Sequence, residues 1–402
     1  MLLAASRGQN GNCSIDNFQY YSTIRFSDSA GYYFNSKSSL SSGAKGGVLA
    51  NPDVSWETSQ QVDLGFDSRF FDSRLGLSFD WYIKDTKDWL VQAPIAGVFG
   101  LGAPYINGGD VRNQGAEIVL SWNDHVGDFS YGATISGSWN KNEVTRLANA
   151  QGYIQGEEDC LSENTDPVYR AEVGYPIGYF YGYKTDGVFQ NQKQIDEYLA
   201  AHGSNMKENP QPGDLIFVDV NGDKTITEAD KTMIGNPHPD FNAGLSFYIN
   251  WKGLDFSVNG YGAFGQEIMK SYRRFSGHPY DNFDRKFFNC WNGEGSSNTL
   301  PKFTDMRNDL NWMKISDIYL EKGNYFKVSN ITLGYDLKQA WKKLPLTKAR
   351  FYMSVQNAFT ITNYTGMDPE IGYGYEDEWA SGIDLGFYPA ARTILFGVNL
   401  TF

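Results

Sequence analysis

The sequence predicts an all-β chain, an antiparallel transmembrane β-barrel portion of about eleven strands with long extracellular loops. Three observations carry that expectation. The first is the closing stretch from Arg392 to Phe402, where Ile394, Phe396, Val398, Leu400 and Phe402 fall on one face of a strand. Thr393, Gly397, Asn399 and Thr401 fall on the other, with Leu395 the single apolar intruder. Alternate residues of a strand point to opposite faces, and about ten such residues cross a bilayer when tilted. The second is repetition of that pattern along the chain. The third is a rhythm of tight turns and long loops.

Taken in chain order, Leu75, Leu77, Phe79, Trp81 and Ile83 form one apolar row, against Gly76, Ser78, Asp80, Tyr82 and Lys84. Ala116, Ile118, Leu120 and Trp122 form the next, opposed by Gly115, Glu117, Val119, Ser121 and Asn123. Phe129, Tyr131, Ala133, Ile135, Gly137 and Trp139 oppose Ser130, Gly132, Thr134, Ser136 and Ser138. Phe241, Ala243, Leu245, Phe247, Ile249 and Trp251 oppose Asn242, Gly244, Ser246, Tyr248 and Asn250. None of these rows, nor the closing one, carries a charge. A chain that is 20% charged would place about five there, and an Arg or Lys facing lipid at mid-depth costs about 2–4 kcal/mol. The rows therefore predict that Leu245, Phe247, Ile249, Ile394, Phe396 and Val398 face outward, and that Ser246, Tyr248, Thr393 and Asn399 face a lumen.

Strand-like stretches fall near 16–26, 57–71, 75–88, 111–124, 127–141, 173–185, 240–252, 253–268, 323–337, 347–359 and 391–402. Phe71-Asp-Ser-Arg74, Asn123-Asp-His-Val-Gly127 and Trp251-Lys-Gly253 are tight joints. The stretches 27–56, 89–110, 142–172, 186–239, 269–322 and 360–390 are long ones, and that alternation is the up-and-down pattern of an outer-membrane barrel.

Composition is consistent with this. Tyr 26, Phe 27, Trp 10 and Gly 43 supply interfacial aromatics and turns,. The mean hydropathy of -0.46 does not oppose a barrel, because only alternate strand residues touch lipid,. No run of 18 apolar residues exists, so helical spans are excluded. A net charge of -13 argues against nucleic acid, which needs clustered Lys and Arg,. Cys13, Cys160 and Cys290 lack metal-like spacing; Cys160 and Cys290 can be read as a pair or as two unpaired thiols,. The start Met1-Leu-Leu-Ala-Ala-Ser-Arg-Gly has no export signal, so the chain reads as the carboxy-terminal piece of something longer,.

Several blocks resemble the SusC/RagA-like TonB-dependent transporters of Gram-negative outer membranes. They are Asn51-Pro-Asp-Val-Ser-Trp-Glu57, Leu75 to Trp89, and Asn107-Gly-Gly-Asp-Val-Arg-Asn-Gln-Gly-Ala-Glu117. Pro212 to Asp223, followed by Ile234-Gly-Asn-Pro-His-Pro-Asp-Phe241, resembles the family's most distinctive loop. Tyr325 to Tyr335 and the tail from Tyr388 resemble its closing strands. The resemblance implies that residues 1–402 are the carboxy-terminal part of a receptor barrel, the second half of a 22-stranded wall, without the plug domain. It implies a nutrient importer of oligosaccharides or peptides, working with a SusD-like surface lipoprotein and the TonB complex. It also implies two open strand edges, near residue 16 and at 391–402, and a role for Phe402 in barrel assembly.

Asp219-Val-Asn221-Gly-Asp223-Lys224-Thr225-Ile-Thr227-Glu-Ala-Asp230 has the spacing of a calcium loop. Asp219, Asn221, Asp223, Asp230 and the Thr225 carbonyl are its candidate Ca2+ ligands. Lys224 stands where such loops place Gly, and the alternative is a polar turn held by Asx hydrogen bonds. The acidic runs Glu157-Glu158-Asp159 and Glu376-Asp377-Glu378 read as solvated charge, although paired carboxylates also serve glycoside hydrolysis. Tyr179-Phe-Tyr-Gly-Tyr183 and Tyr373-Gly-Tyr375 are candidate sugar- or peptide-contacting aromatics or simple packing. No nucleophile elbow, P-loop or HExxH is present, so no enzyme activity is expected. The runner-up reading is a secreted all-β carbohydrate-binding protein or carbohydrate-active enzyme with a dockerin-like calcium loop, which would bury the apolar rows inward.

Overall fold

The computed structural model describes all residues except 13–14, 16, 19, 34–39, 93–97, 99, 150, 157, 162–164, 271–284, 307 and 372–380. Cys13, Glu157, Tyr373, Tyr375 and the Glu376–Glu378 run lie outside the described residues. Ten antiparallel strands form one sheet, the wall. They are β1 (Leu2–Asn12), β2 (Glu57–Phe70), β3 (Leu75–Gln92), β4 (Tyr105–Val126) and β5 (Phe129–Leu147). The wall continues with β6 (Phe241–Trp251), β7 (Leu254–Phe264), β8 (Tyr325–Asp336), β9 (Lys348–Thr362) and β10 (Thr393–Thr401). Each wall strand pairs with the next wall strand in sequence.

Two expected wall strands are not wall strands, and one was missed. The described residues of the 16–26 stretch do not pair with the wall; Ile24–Tyr33 instead forms a separate hairpin with Leu40–Gly46. The 173–185 stretch lies in a small four-stranded sheet, where Tyr179–Gly182 sits between Tyr169–Glu172 and Thr232–Gly235. Its aromatics are apolar on both faces because both faces are packed. The missed strand is β1, which pairs with β2 in an unbroken register from Leu2↔Asp67 to Asn12↔Glu57. Leu2 and Leu3 are adjacent and Arg7 follows, so β1 shows no alternation; its backbone ladder, not its side chains, makes it a strand. The first edge of the sheet is therefore at 2–12 rather than near 16, while the other edge is β10 as expected.

Register carries each apolar row across the sheet, since directly paired residues share a face. Leu77, Leu120, Ile135, Leu245 and Gly260 lie in one line. Ile249, Phe256, Leu333, Met353 and Phe396 lie in another. On the opposite face Ser121, Thr134, Ser246, Asn259, Asn330, Gln356 and Thr393 line up, polar throughout. Leu395 falls beside Ser354 on that polar face. The apolar face is not packed in a core: Phe396 is 78% exposed and Ile135 56%. That removes the runner-up reading, which needed these residues inside a sandwich.

Aromatic rings bound the belt. Trp81, Ala116, Trp139, Phe241 and Phe264 are consecutive partners along its upper edge, with the Trp139 and Phe241 rings 4.7 Å apart. Above them the same face becomes charged: Arg112 meets Asp85 at 2.7 Å and Lys141 meets Glu143 at 2.8 Å. Below, Trp251, Leu254, Tyr335 and Phe351 close it. The strand from Phe241 to Trp251, tilted by roughly 45°, rises about 24 Å, the height of a barrel's apolar band.

The joints separate by end. Residues 71–74, 127–128, 252–253 and 337–347 connect strands at one end, and 148–240, 265–324 and 363–392 are among the long connections at the other. Lys252 and Gly253 both have positive φ, 46° and 88°, the mirror-image turn whose twist matches that of paired strands. The long segments build a crown with its own hydrophobic core, including Trp312, Tyr169, Phe180, Tyr319, Met269 and Ile383.

The belt makes a direct prediction for the full-length parent protein. Leu245→Arg should lower the stability of the folded barrel in phospholipid vesicles by about 2–4 kcal/mol. Ser246→Arg, one residue away on the polar face, should change it by less than about 1 kcal/mol. Urea titration of heat-modifiable electrophoretic mobility would measure both.

Candidate functional site

The polar face of the wall and the crown above it form the candidate site, and hydrogen bonds between strands stiffen that face. Tyr82 donates to Asn140 Oδ1 at 3.1 Å, Tyr248 to Asn123 Oδ1 at 2.9 Å, and Asn330 to Ser354 Oγ at 3.0 Å. Lower down, Arg350 on β9 reaches across β8 to Asp255 on β7, its Nε 2.7 Å from Oδ1. The strand between them contributes Gly334. A Cβ there would sit 2.6 Å from both the Arg350 guanidinium and Asp255 Oδ1, so only glycine lets the pair close.

The crown is fastened to this same face. Lys327 on β8 is 4% exposed and pairs with Glu370 of the 363–392 connection, which also accepts the Tyr261 hydroxyl. Thr365 is tied to Glu321, N–H to Oε2, at 3.0 Å. The polar face is therefore the covered, inner one. Sequence reading missed Asp255, Lys327, Arg350 and Glu370 because each finds its partner on a different strand or loop. For the three strand residues, polar-face parity was the available signal.

Inside the crown, Asp214 is an almost fully enclosed ionised group. It is 1% exposed and receives Lys207 at 2.9 Å, Lys302 at 3.1 Å and the Asn311 amide at 2.9 Å. Burial raises its pKa, but the Lys207 ammonium, the Gln211 N–H and the Asn311 amide lower it by more, leaving it below its ordinary value. Asn311 in turn accepts the Leu215 N–H at 3.0 Å, so the cluster joins the 205–217 segment to the 305–313 segment.

The expected calcium residues sit on one loop of the crown. Asp219 accepts N–H groups from Gly222 and Lys224, each at 2.7 Å. Asn221 accepts the Asp223 N–H at 2.8 Å, and Asp223 accepts that of Thr225 at 2.8 Å. Asp230 is fully buried and accepts from Val220 and Asn221 through one oxygen and from Thr227 through the other. Loss of water raises the Asp219 pKa, yet the Lys224 and Gly222 N–H groups bring it below its usual value. Lys224 has φ +70°, the conformation that the Gly of a calcium loop supplies without strain,. Among the described residues no three acidic, His or Cys side chains are grouped as a metal site. Asp219, Asn221, Asp223 and Asp230 each accept backbone N–H groups, the arrangement of an Asx-stabilised turn,.

The other candidates divide by burial. Tyr179, Phe180 and Tyr183 are core residues, each at most 1% exposed, so they hold the crown together rather than face a ligand. Tyr181 stacks under the Arg170 guanidinium, 3.4 Å from the ring centre. Asp159 accepts the Thr165 N–H at 3.0 Å. Cys160 and Cys290 are both buried in one hydrophobic cluster, and burial pushes the Cys290 thiol up to about 11.

A sequence profile described as TonB dependent receptor-like, beta-barrel matches residues 15–358. The chain belongs to that family. It is 31% identical over 361 residues to TonB-dependent receptor P3 of Formosa agariphila, covering 88% of this chain and 35% of that protein. It is 28% identical over 366 residues to TonB-dependent receptor SusC of Bacteroides thetaiotaomicron, covering 88% of this chain and 32% of that one. The RagAB peptide transporter superposes over the whole chain and 40% of its own, with a TM-score of 0.75 at 22% identity. The chain thus spans 32% to 40% of the length of the curated relatives it matches. TonB-dependent receptors are transporters rather than enzymes, and the SusC/RagA resemblance read from the motifs holds.

One prediction follows for the crown of the receptor. A lowered Asp214 pKa means a contribution to stability that is full above the unfolded value, near 3.8, and is lost as pH falls through the folded value,. Asp214→Ala in the full-length parent should cost the crown about 3 kcal/mol at neutral pH, since it removes the buried carboxylate shared by Lys207 and Lys302 and leaves Lys207 with Asp309 alone,. It should also flatten the acid limb of the stability curve below about pH 4. Limited proteolysis of the crown across pH would measure both effects.

Proposed function

We propose that this chain forms the carboxy-terminal part of the barrel of a nutrient importer in a Gram-negative outer membrane. The observation that carries the proposal is the charge-free outward belt, about 24 Å high, bounded by aromatic rings and backed by a polar inner face. In this reading the four short joints face the periplasm and the crown faces outward. The remaining wall strands, the plug and the segment that engages TonB belong to parts of the receptor outside residues 1–402. The crown is the docking surface for a SusD-like lipoprotein lid, and the cargo is an oligosaccharide or a peptide. SusC and the RagAB peptide transporter, to which the chain is similar, are the support for those two cargo classes.

Deleting the full-length gene and feeding defined peptide and oligosaccharide mixtures tests this. Uptake of one class should fall to background and should equally require TonB and an energised inner membrane. Unchanged uptake of both classes, or recovery of the protein outside the outer-membrane fraction, would overturn the reading.

We further propose that the Asp219–Asp230 loop takes Ca2+ in the intact receptor. Asp219, Asn221, Asp223, Asp230 and the Thr225 carbonyl would be the ligands. A carboxylate oxygen that accepts one N–H keeps a second lone pair for a hard cation. The positive φ of Lys224 supports this loop shape. Calorimetry on the purified receptor should show calcium binding that Asp223→Ala abolishes; no heat in the unaltered receptor leaves the loop a plain turn.

A further inference from the structure

We propose that the short-joint end of β6–β9 is a binding surface for the phosphate headgroups of anionic phospholipid in the adjoining leaflet. The inference rests on the reading that the wall spans the membrane, and it concerns a part of the wall that neither the belt nor the crown uses.

The 252–253 and 337–347 joints lie side by side. The Asp336 N–H donates to the Gly253 carbonyl at 2.8 Å, and a Cβ on Gly253 would touch Gln339 at 2.6 Å. Together they present Lys252, Lys342 and Lys343, all exposed, and among the described residues no salt bridge involves any of the three. Most of the chain's cations are differently placed. Its net charge is -13, and the lysines of the crown are largely matched to carboxylates, as Lys207, Lys231, Lys286 and Lys314 are. Three unmatched lysines on two touching turns are a local reversal of that balance.

The nearby acids do not cancel them. Asp255 is held by Arg350. Asp336 spends one carboxylate oxygen on the N–H groups of Lys338 and Ala349, at 3.1 and 3.0 Å. Asp128 is the remaining acid on the groove of about 550 Å3 that Lys252, Asp255, Asp336, Lys348 and Arg350 also line. The larger joint is rigid enough to present its charges, because Lys338 Nζ donates to the carbonyls of Lys342 and Leu344 at 2.8 and 2.7 Å.

Position selects the partner. Trp251, about half exposed, stands at the lower rim of the apolar belt, the depth at which indole rings settle among headgroups; Trp341, similarly exposed, lies in the adjoining 337–347 joint. Lys252 lies 5.8 Å over the Trp251 ring. Lysines immediately beyond such a rim meet lipid phosphate at headgroup height, where each adds to the preference for anionic over zwitterionic lipid. A membrane phosphate fits the combination of aromatic rim, continuous apolar belt and unmatched ammonium groups; a soluble anion would need no such rim.

The full-length receptor, reconstituted in nanodiscs of equal phosphatidylglycerol and phosphatidylethanolamine, supplies the test. Lipids retained on extraction into detergent are counted by native mass spectrometry. The unaltered receptor should retain phosphatidylglycerol over phosphatidylethanolamine by roughly tenfold or more. The combined variant Lys252→Gln, Lys342→Gln, Lys343→Gln should bring that ratio close to unity. A matched variant at the long-loop end, with Lys87, Lys184 and Lys193 changed to Gln, should keep the ratio of the unaltered receptor. Equal ratios in the receptor and the first variant would overturn the proposal, as would an equal loss in the matched variant. Removal of the preference by inorganic phosphate at constant ionic strength would assign the patch to free phosphate and also overturn it. Heat-modifiable mobility is read on all three proteins. An inserted barrel indifferent to lipid charge defeats this proposal alone, whereas a protein that fails to insert defeats the membrane reading beneath it.

Discussion

A hydrocarbon layer offers no hydrogen bonds, so every backbone N–H and C=O within it must be paired inside the protein. The rest of this structure depends on that requirement. It explains why β1, with no amphipathic pattern of its own, is a strand over eleven residues: its backbone pairs with β2 without interruption. It explains why irregular backbone is concentrated at the ends of the wall and at bulges. The register shifts near Asn259 on β7, Val328 on β8 and the positive-φ Asn357 on β9 fall at one level of the sheet. There a local bend of neighbouring strands adds curvature together.

Once the ladder is in place, the solvent on each side selects the side chains. The outward face meets lipid and excludes charge, while the inner face meets water and the crown and accepts it. The inner charges are paired across strands. Arg350 and Asp255 join three strands over Gly334, and Lys327 with Glu370 joins the wall to a loop. Breaking one partner of a buried pair leaves the other unsatisfied, which is why such contacts fix position more than they add stability.

The crown follows the opposite rule. Its segments lie in water and bury their own apolar groups, with Trp312, Tyr169, Tyr183, Phe189 and Phe217 almost fully enclosed. The wall has few residues so enclosed because its apolar surface is already in its preferred solvent. One chain therefore contains two solutions to the same problem: a sheet stabilised by lipid on one face, and a loop assembly stabilised by a conventional core.

This division decides what could be read from residue order. Nine wall strands were legible because one face touches lipid and the other does not, which writes a period of two into the sequence. The family blocks, such as Asn107 to Glu117, were legible for the same reason, being strand and turn combined. The Tyr179–Tyr183 stretch misled because a core strand packed on both faces carries no period. The Asp219–Asp230 spacing located a loop correctly, but spacing does not say whether a carboxylate turns toward a cation or toward its own backbone. Only tertiary structure decided that Asp214 is enclosed by Lys207, Lys302 and Asn311, that Lys327 meets Glu370, and that two turns bring three lysines together. The physical reason is the range of the contact. Alternation is a local consequence of strand geometry, whereas these pairings, Lys207 with Asp214 apart, join residues dozens of positions apart and exist only after the ladder has set the register.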